Sequence, residues 1–222
     1  MTYVVSLCDL TAAMVRPWVE AGYDAFLVDP QHGATRTEGG ITKFAGTIED
    51  ALPELSALIR REEIAMVFGF PPCTNLAVSG ARHFERKMTD KNWKHYQGPN
   101  MFFDAVRVAW QCEMVGQLSG SPWMVENPVS RLATFWRKPD FTFHPWQFSG
   151  YEPADSYTKK TCLWTGNGFL MPQPFIDPNM GEPDNRIHFA SPGADRANFR
   201  SATPMGFARA VFHANTRQTI AA

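Results

Sequence analysis

Closely spaced cysteines are missing from this chain of 222 residues. The four it has, Cys8, Cys73, Cys112 and Cys162, lack the paired spacing of a zinc site. They make no disulfide framework either, so a reduced, cytoplasmic protein is expected. There is no strong charge of one sign. The formal net charge is -1, which excludes a surface that attracts nucleic acid everywhere and leaves only a local basic patch. No apolar run reaches membrane length, and Met1-Thr2-Tyr3 lacks the basic region of a signal peptide. No internal repeat is visible. Neither a membrane nor a metal is expected as a partner.

Proline and tryptophan, by contrast, are heavily used, with 17 and seven residues that concentrate after residue 120. The second half is therefore expected to be loop-rich. The length fits one α/β domain over 1–222. Tyr3 to Leu7 reads as a first strand, Ala12 to Ala21 as a helix kinked at Pro17, and Ala25 to Val28 as a second strand ending in Asp29. That strand–turn–helix–strand unit, with an acid at its end, is the layout of dinucleotide-type sheets, although an ordinary βαβ unit reads the same way. Residues 33–48 read as loop and 48–60 as helix. Residues 64–70 read as a buried strand, 101–118 as helix, 123–125 and 161–164 as short strands, and 204–215 as helix.

The strand at 64–70 is stopped by Pro71-Pro72 and followed at once by Cys73. Strand carboxyl ends are where open α/β sheets bind ligands, so the thiol is a candidate nucleophile. Free cysteine is also a common small core residue. The strand at 123 ends in Glu126-Asn127-Pro128, and on an adjacent strand Glu126 would stand beside Cys73. Between them, in residues 81–98, Arg82, Arg86, Lys87, Lys91 and Lys94 outweigh Glu85 and Asp90. This is either a solvated loop or a mobile, phosphate-facing lid.

Pro71-Pro72-Cys73 paired with Glu126-Asn127-Pro128 resembles the cytosine-5 DNA methyltransferases, which carry a Pro-Cys and a Glu-Asn-Val motif in this order. The likeness is closer to the short methyltransferase-like proteins of bacteriophages and prophages. It extends over Arg16 to Asp24, Phe70 to Phe84, Trp123 to Arg131, Tyr157 to Gly166 and Arg200 to Asn215. The resemblance implies a Rossmann-like class I S-adenosylmethionine-dependent methyltransferase fold, with a mostly parallel sheet flanked by helices. It implies Cys73 as the thiolate that adds to carbon 6 of cytosine, and Glu126 as the carboxyl that stabilises the addition. S-adenosylmethionine is the implied cofactor. It would lie over the turn Asp9, Leu10, Thr11 and Ala12, with Asp29 on the ribose, Asp50 at the adenine and Pro71 along the methionine end.

Pro72, Ser79, Arg82, Asn127, Lys159 and Lys160 are the substrate contacts implied in the same way. The family's Phe-x-Gly-x-Gly turn is here Cys8 to Ala13, with methyl groups at Ala12 and Ala13 where backbone would approach a ligand. Ser201 to Pro204 stands where the family closes the cofactor pocket. Only 165–200 remains of a target recognition domain, which implies help from a protein partner or little sequence selectivity. The expected substrate is cytosine in DNA, or alternatively a free cytosine nucleotide. A reading from another class is a non-catalytic phage binding or anti-defence protein on the same fold, favoured by the altered turn.

Overall fold

The computed structural model describes residues 2–189 and 202–216. Five parallel strands form the middle of an eight-stranded sheet: β1 (Tyr3–Leu7), β2 (Asp24–Val28), β4 (Ile41–Phe44), β5 (Ile64–Gly69) and β6 (Trp123–Pro128). An antiparallel β8 (Thr161–Gly166) lies beside β6, and β7 (Phe141–Phe143) closes that edge. A short antiparallel β3 (Arg36–Glu38) closes the other, giving the order β3-β4-β2-β1-β5-β6-β8-β7. The chain builds outward from β1 in one direction and then resumes at β5 on its other side. This is a doubly wound α/β order compatible with a Rossmann-like fold, with its switch point between β1 and β5.

Strands covered on both faces need apolar residues at successive positions, and the register shows where each one goes. Val5, Val67, Trp123, Val125 and Trp164 point to one face, where α2 (Leu52–Arg60) and α4 (Met101–Ser119) add Leu55, Leu58, Val106, Ala109 and Val115. Val4, Leu27, Met66, Phe68, Met124 and Leu163 point to the other. There α1 (Arg16–Glu20) and the C-terminal helix Met205–Thr216 add Trp18, Phe207, Ala210 and Val211. No helix among the described residues is long and apolar enough to cross a membrane.

Trp123 shows how tightly the first layer is closed. A Cβ on Gly116 would lie 2.4 Å from its ring, and one on Gly166 equally 2.4 Å from it. Gly116→Ala gains helix propensity, but the overpacking outweighs it. A loss of about 2 kcal/mol, seen as a Tm roughly 4–8 °C lower, is the expected result of a thermal melt.

Residues 33–48, expected as loop, contain the β3–β4 hairpin. Its turn is Gly39-Gly40, both at positive φ (55° and 78°), the backbone that a tight hairpin requires. The helix expected from Ala12 begins only at Arg16, because Pro17 sits in its first turn rather than at a kink. The segment expected as a mobile lid is folded: a 3-10 turn (Val78–His83) leads into α3 (Phe84–Thr89), with Phe84 and Lys87 buried. Helix Leu132–Phe135 is α5, Arg186–Phe189 is α6 and Met205–Thr216 is α7. The segment 190–201, including the expected role of Ser201, lies outside the described residues.

Candidate active site

One cleft of about 1240 Å³ opens at the carboxyl ends of β1, β2, β5 and β6. Its β1 wall is the turn after Leu7. Cys8 and Ala12 both have positive φ, 58° and 62°, so this turn adopts left-handed backbone with no glycine to supply it. The Asp9 carboxylate compensates. Its Oδ1 accepts the backbone N–H groups of Thr11 and Ala12 at 2.9 Å each and the Thr11 hydroxyl at 3.1 Å, while Oδ2 accepts the Ser6 hydroxyl at 2.8 Å. The amide donors that a glycine turn would offer a bound anion are therefore already used by the protein's own anion. Asp9, Leu10 and Thr11 line the cleft. Ala12 does not; its side chain is buried in the core layer that holds Trp18.

Asp29 follows β2 and is 5 % exposed; its Oδ1 accepts the Gln31 N–H at 2.8 Å and caps the turn Pro30–His32. Both Asp29 and Gln31 reach the cleft. Asp50 does not. Its carboxylate accepts the Thr47 N–H and hydroxyl at 2.9 and 2.7 Å before α2, which hold its pKa below the usual carboxylate range, on an exposed surface away from the cleft. The expected adenine contact at Asp50 is thus not supported by its position.

On the β5 side, Pro71, Pro72 and partly exposed Cys73 line the cleft with Ser79 and Arg82. The Cys73 carbonyl accepts the Leu76 and Ala77 N–H groups at 2.9 and 2.8 Å, which closes a turn directly behind the thiol. Gly69 pairs with Val125, so Glu126 begins where β5 gives way to the Pro-Pro-Cys turn. Asn127 ties the two strand ends together: its Nδ2 donates to the Pro71 carbonyl at 2.8 Å. Its Oδ1 and the Glu126 Oε1 are buried with no hydrogen-bond partner among the described residues. Both residues line the cleft, and a buried acceptor in this state asks for a donor from a ligand. Burial pushes the Glu126 carboxyl up, and the Lys159 ammonium at 3.8 Å pulls it partly back.

Lys159 is 8 % exposed, and Lys160 stands beside it on the cleft wall. His144, which follows β7, also reaches the cleft; its Nδ1 has no hydrogen-bond partner among the described residues, and burial lowers its pKa, helped by Lys160. His144 sits in an aromatic stretch without periodicity, so no sequence signal marked it. Gln31 was discoverable as the second residue after the strand-ending acid. Thr203, from the segment expected to close the pocket, lines the cleft too. The cleft is electrically divided: Asp9 and Asp29 at the β1–β2 end, Arg82, Lys159 and Lys160 at the β5–β8 end. Among the described residues no group of three or more His, Cys, Asp or Glu side chains could hold a metal ion.

No family model matches this chain, and neither a curated protein nor a solved structure does.

Proposed function

We propose that the chain is an S-adenosylmethionine-dependent methyltransferase acting on carbon 5 of cytosine in DNA, built on a class I methyltransferase type of Rossmann-like fold. One observation carries the reading. Adjacent parallel strands bring a thiol, Cys73, and a desolvated carboxyl with an unsatisfied oxygen, Glu126, to the same cleft. Cytosine needs both: a nucleophile for carbon 6, and a group that meets ring nitrogen 3 and the exocyclic amine as the ring takes up charge.

The divided charge supports the cofactor half. With the amide cradle of the β1 turn filled by Asp9, a phosphate-bearing cofactor has no seat there. A nucleoside that carries cationic groups and no phosphate fits an acidic end. Asp9, Leu10, Thr11, Asp29, Gln31 and Pro71 would hold it, with Asp29 accepting from ribose hydroxyls. Bound there, S-adenosylmethionine supplies an electrophilic methyl group. Asp29→Ala is expected to weaken its binding roughly 10- to 100-fold in calorimetry, the scale of a lost hydrogen bond to a charged group. Unchanged affinity would move the cofactor elsewhere.

At the basic end, Arg82 and Lys160 would take phosphate as charges, with a duplex target base flipped out to reach Cys73. The Cys73 thiolate forms a bond to carbon 6, and the ring electrons shift to carbon 5. Protonated Glu126 donates to nitrogen 3 and accepts from the amine. After carbon 5 takes the methyl group, with the sulfonium leaving as a neutral thioether, the carbon 5 proton leaves to solvent and the bond between the Cys73 sulfur and carbon 6 breaks. The ring and the thiolate are thereby restored.

Fluorine at carbon 5 cannot leave as a proton, so the adduct would be trapped. Incubation with 5-fluorocytosine DNA and S-adenosylmethionine is expected to give a denaturant-stable adduct that maps to Cys73 by mass spectrometry. Trapping on 5-fluoro-dCMP instead would assign the free nucleotide as substrate. No adduct with either, while S-adenosylmethionine binds, would overturn the catalytic reading in favour of a binding protein, such as a phage anti-defence factor.

A further inference from the structure

Lysine is rarely buried without a charged partner. Lys87 on α3 is 9 % exposed, and among the described residues no carboxylate pairs with it. Its Nζ donates instead to the Thr74 carbonyl at 2.9 Å and to Asn75 Oδ1 at 2.8 Å, in the two residues that follow Cys73. The helix that carries it is fixed from behind. Phe84 packs edge-on against Phe102 of α4 at 5.0 Å, and the Lys87 carbonyl accepts the Gln97 N–H at 2.7 Å. Desolvation lowers the Lys87 pKa, and the one group that opposes this electrostatically is Cys73. A cation has thus been buried at some cost against neutral oxygens, next to a thiol whose ionised form would balance it.

We propose that Lys87 is a positioning residue for Cys73. It holds the turn behind the thiol through Thr74 and Asn75 and supplies the positive charge against which the thiolate forms. The proposal rests on the reading of Cys73 as a nucleophile. The other charged side chains that line the cleft with Cys73 are Asp9, Asp29, Arg82, Glu126, Lys159 and Lys160, and His144 is titratable there too.

Iodoacetamide alkylation of Cys73 in the full chain, read by peptide mass spectrometry across pH, tests the assignment with neither cofactor nor DNA. Lys87→Met is expected to slow alkylation at pH 7 about tenfold, the factor that a one-unit displacement of the thiol's titration represents, and to move the pH midpoint upward. Lys87→Arg, which keeps the charge, should retain the wild-type midpoint, and alkylation of Cys8 should be unaffected. A merely structural role would lower Tm and leave the midpoint in place. An unchanged midpoint in folded Lys87→Met overturns the proposal. Should that variant not fold, Lys87→Gln, which keeps the donor without the charge, decides it by the same measurement. A shifted midpoint in a protein that never methylates cytosine would uphold Lys87 and sink the methyl-transfer reading alone.

Discussion

Cys73→Ser is expected to lower methyl transfer by about 1,000-fold or more and to abolish the adduct with 5-fluorocytosine DNA. A serine hydroxyl stays protonated at neutral pH where a thiol is partly ionised, and loss of the nucleophile removes the covalent route entirely. The fold should tolerate the change. Cys73 is partly exposed, and its carbonyl, which the substitution keeps, accepts the Leu76 and Ala77 N–H groups that close its turn. Tm and S-adenosylmethionine affinity are therefore expected to stay near wild type, which separates lost chemistry from lost structure. A Cys73→Ser protein that still methylated cytosine at a tenth of the wild-type rate would remove this thiol from the mechanism.

Glu126→Gln divides activity from stability. An amide can hydrogen-bond to the base but cannot hold a transferable proton, so a fall of about 100-fold in kcat is expected, with a smaller change in KM. Activity of the wild type should decline as pH rises through the elevated Glu126 value, because the protonated form is the one that stabilises the addition. Stability follows the same sign. Glu126 is raised above the usual 4.5 by burial, so its favourable contribution is complete below that pH and is lost as pH rises through the folded value. At pH 8 the wild type buries a carboxylate whose nearest cation is Lys159 at 3.8 Å, whereas the amide carries no such penalty. Thermal melts at pH 5 and pH 8 should then show a smaller drop for Glu126→Gln than for wild type. An equal drop would mean that the carboxyl is not desolvated, and with it the reason for its activity would go.

Much of this arrangement was legible in the sequence because apolar runs ended in unmistakable punctuation. Ile64 to Phe70 before two prolines, and Trp123 to Val125 before Glu126, placed the first strand end within one residue and the second three residues short of Pro128. The β3–β4 hairpin escaped because Arg36, Thr37, Glu38, Thr42 and Lys43 are polar, without the apolar run of a buried strand. Gly39-Gly40 was its one available signal. The cofactor side was read by position alone. The fold puts Asp29 on the cleft wall after β2, whereas the Asp50 carboxylate closes a turn with Thr47 and does not line the cleft. Lys87 was counted among the charges of a solvated loop or phosphate-facing lid because a basic segment gives no hint that one of its lysines folds inward.

The two margins of the sheet have a bearing on how the protein behaves in concentrated solution. With a net charge of only -1, molecules gain little mutual repulsion. An open strand edge would then be an invitation to pair with a neighbour and grow. Both outer strands are three residues long, and β3 shows only exposed Arg36, Thr37 and Glu38. Colloidal stability thus falls to geometry: each border offers another chain too few free amides, and on one side too much charge, to seed an aggregate.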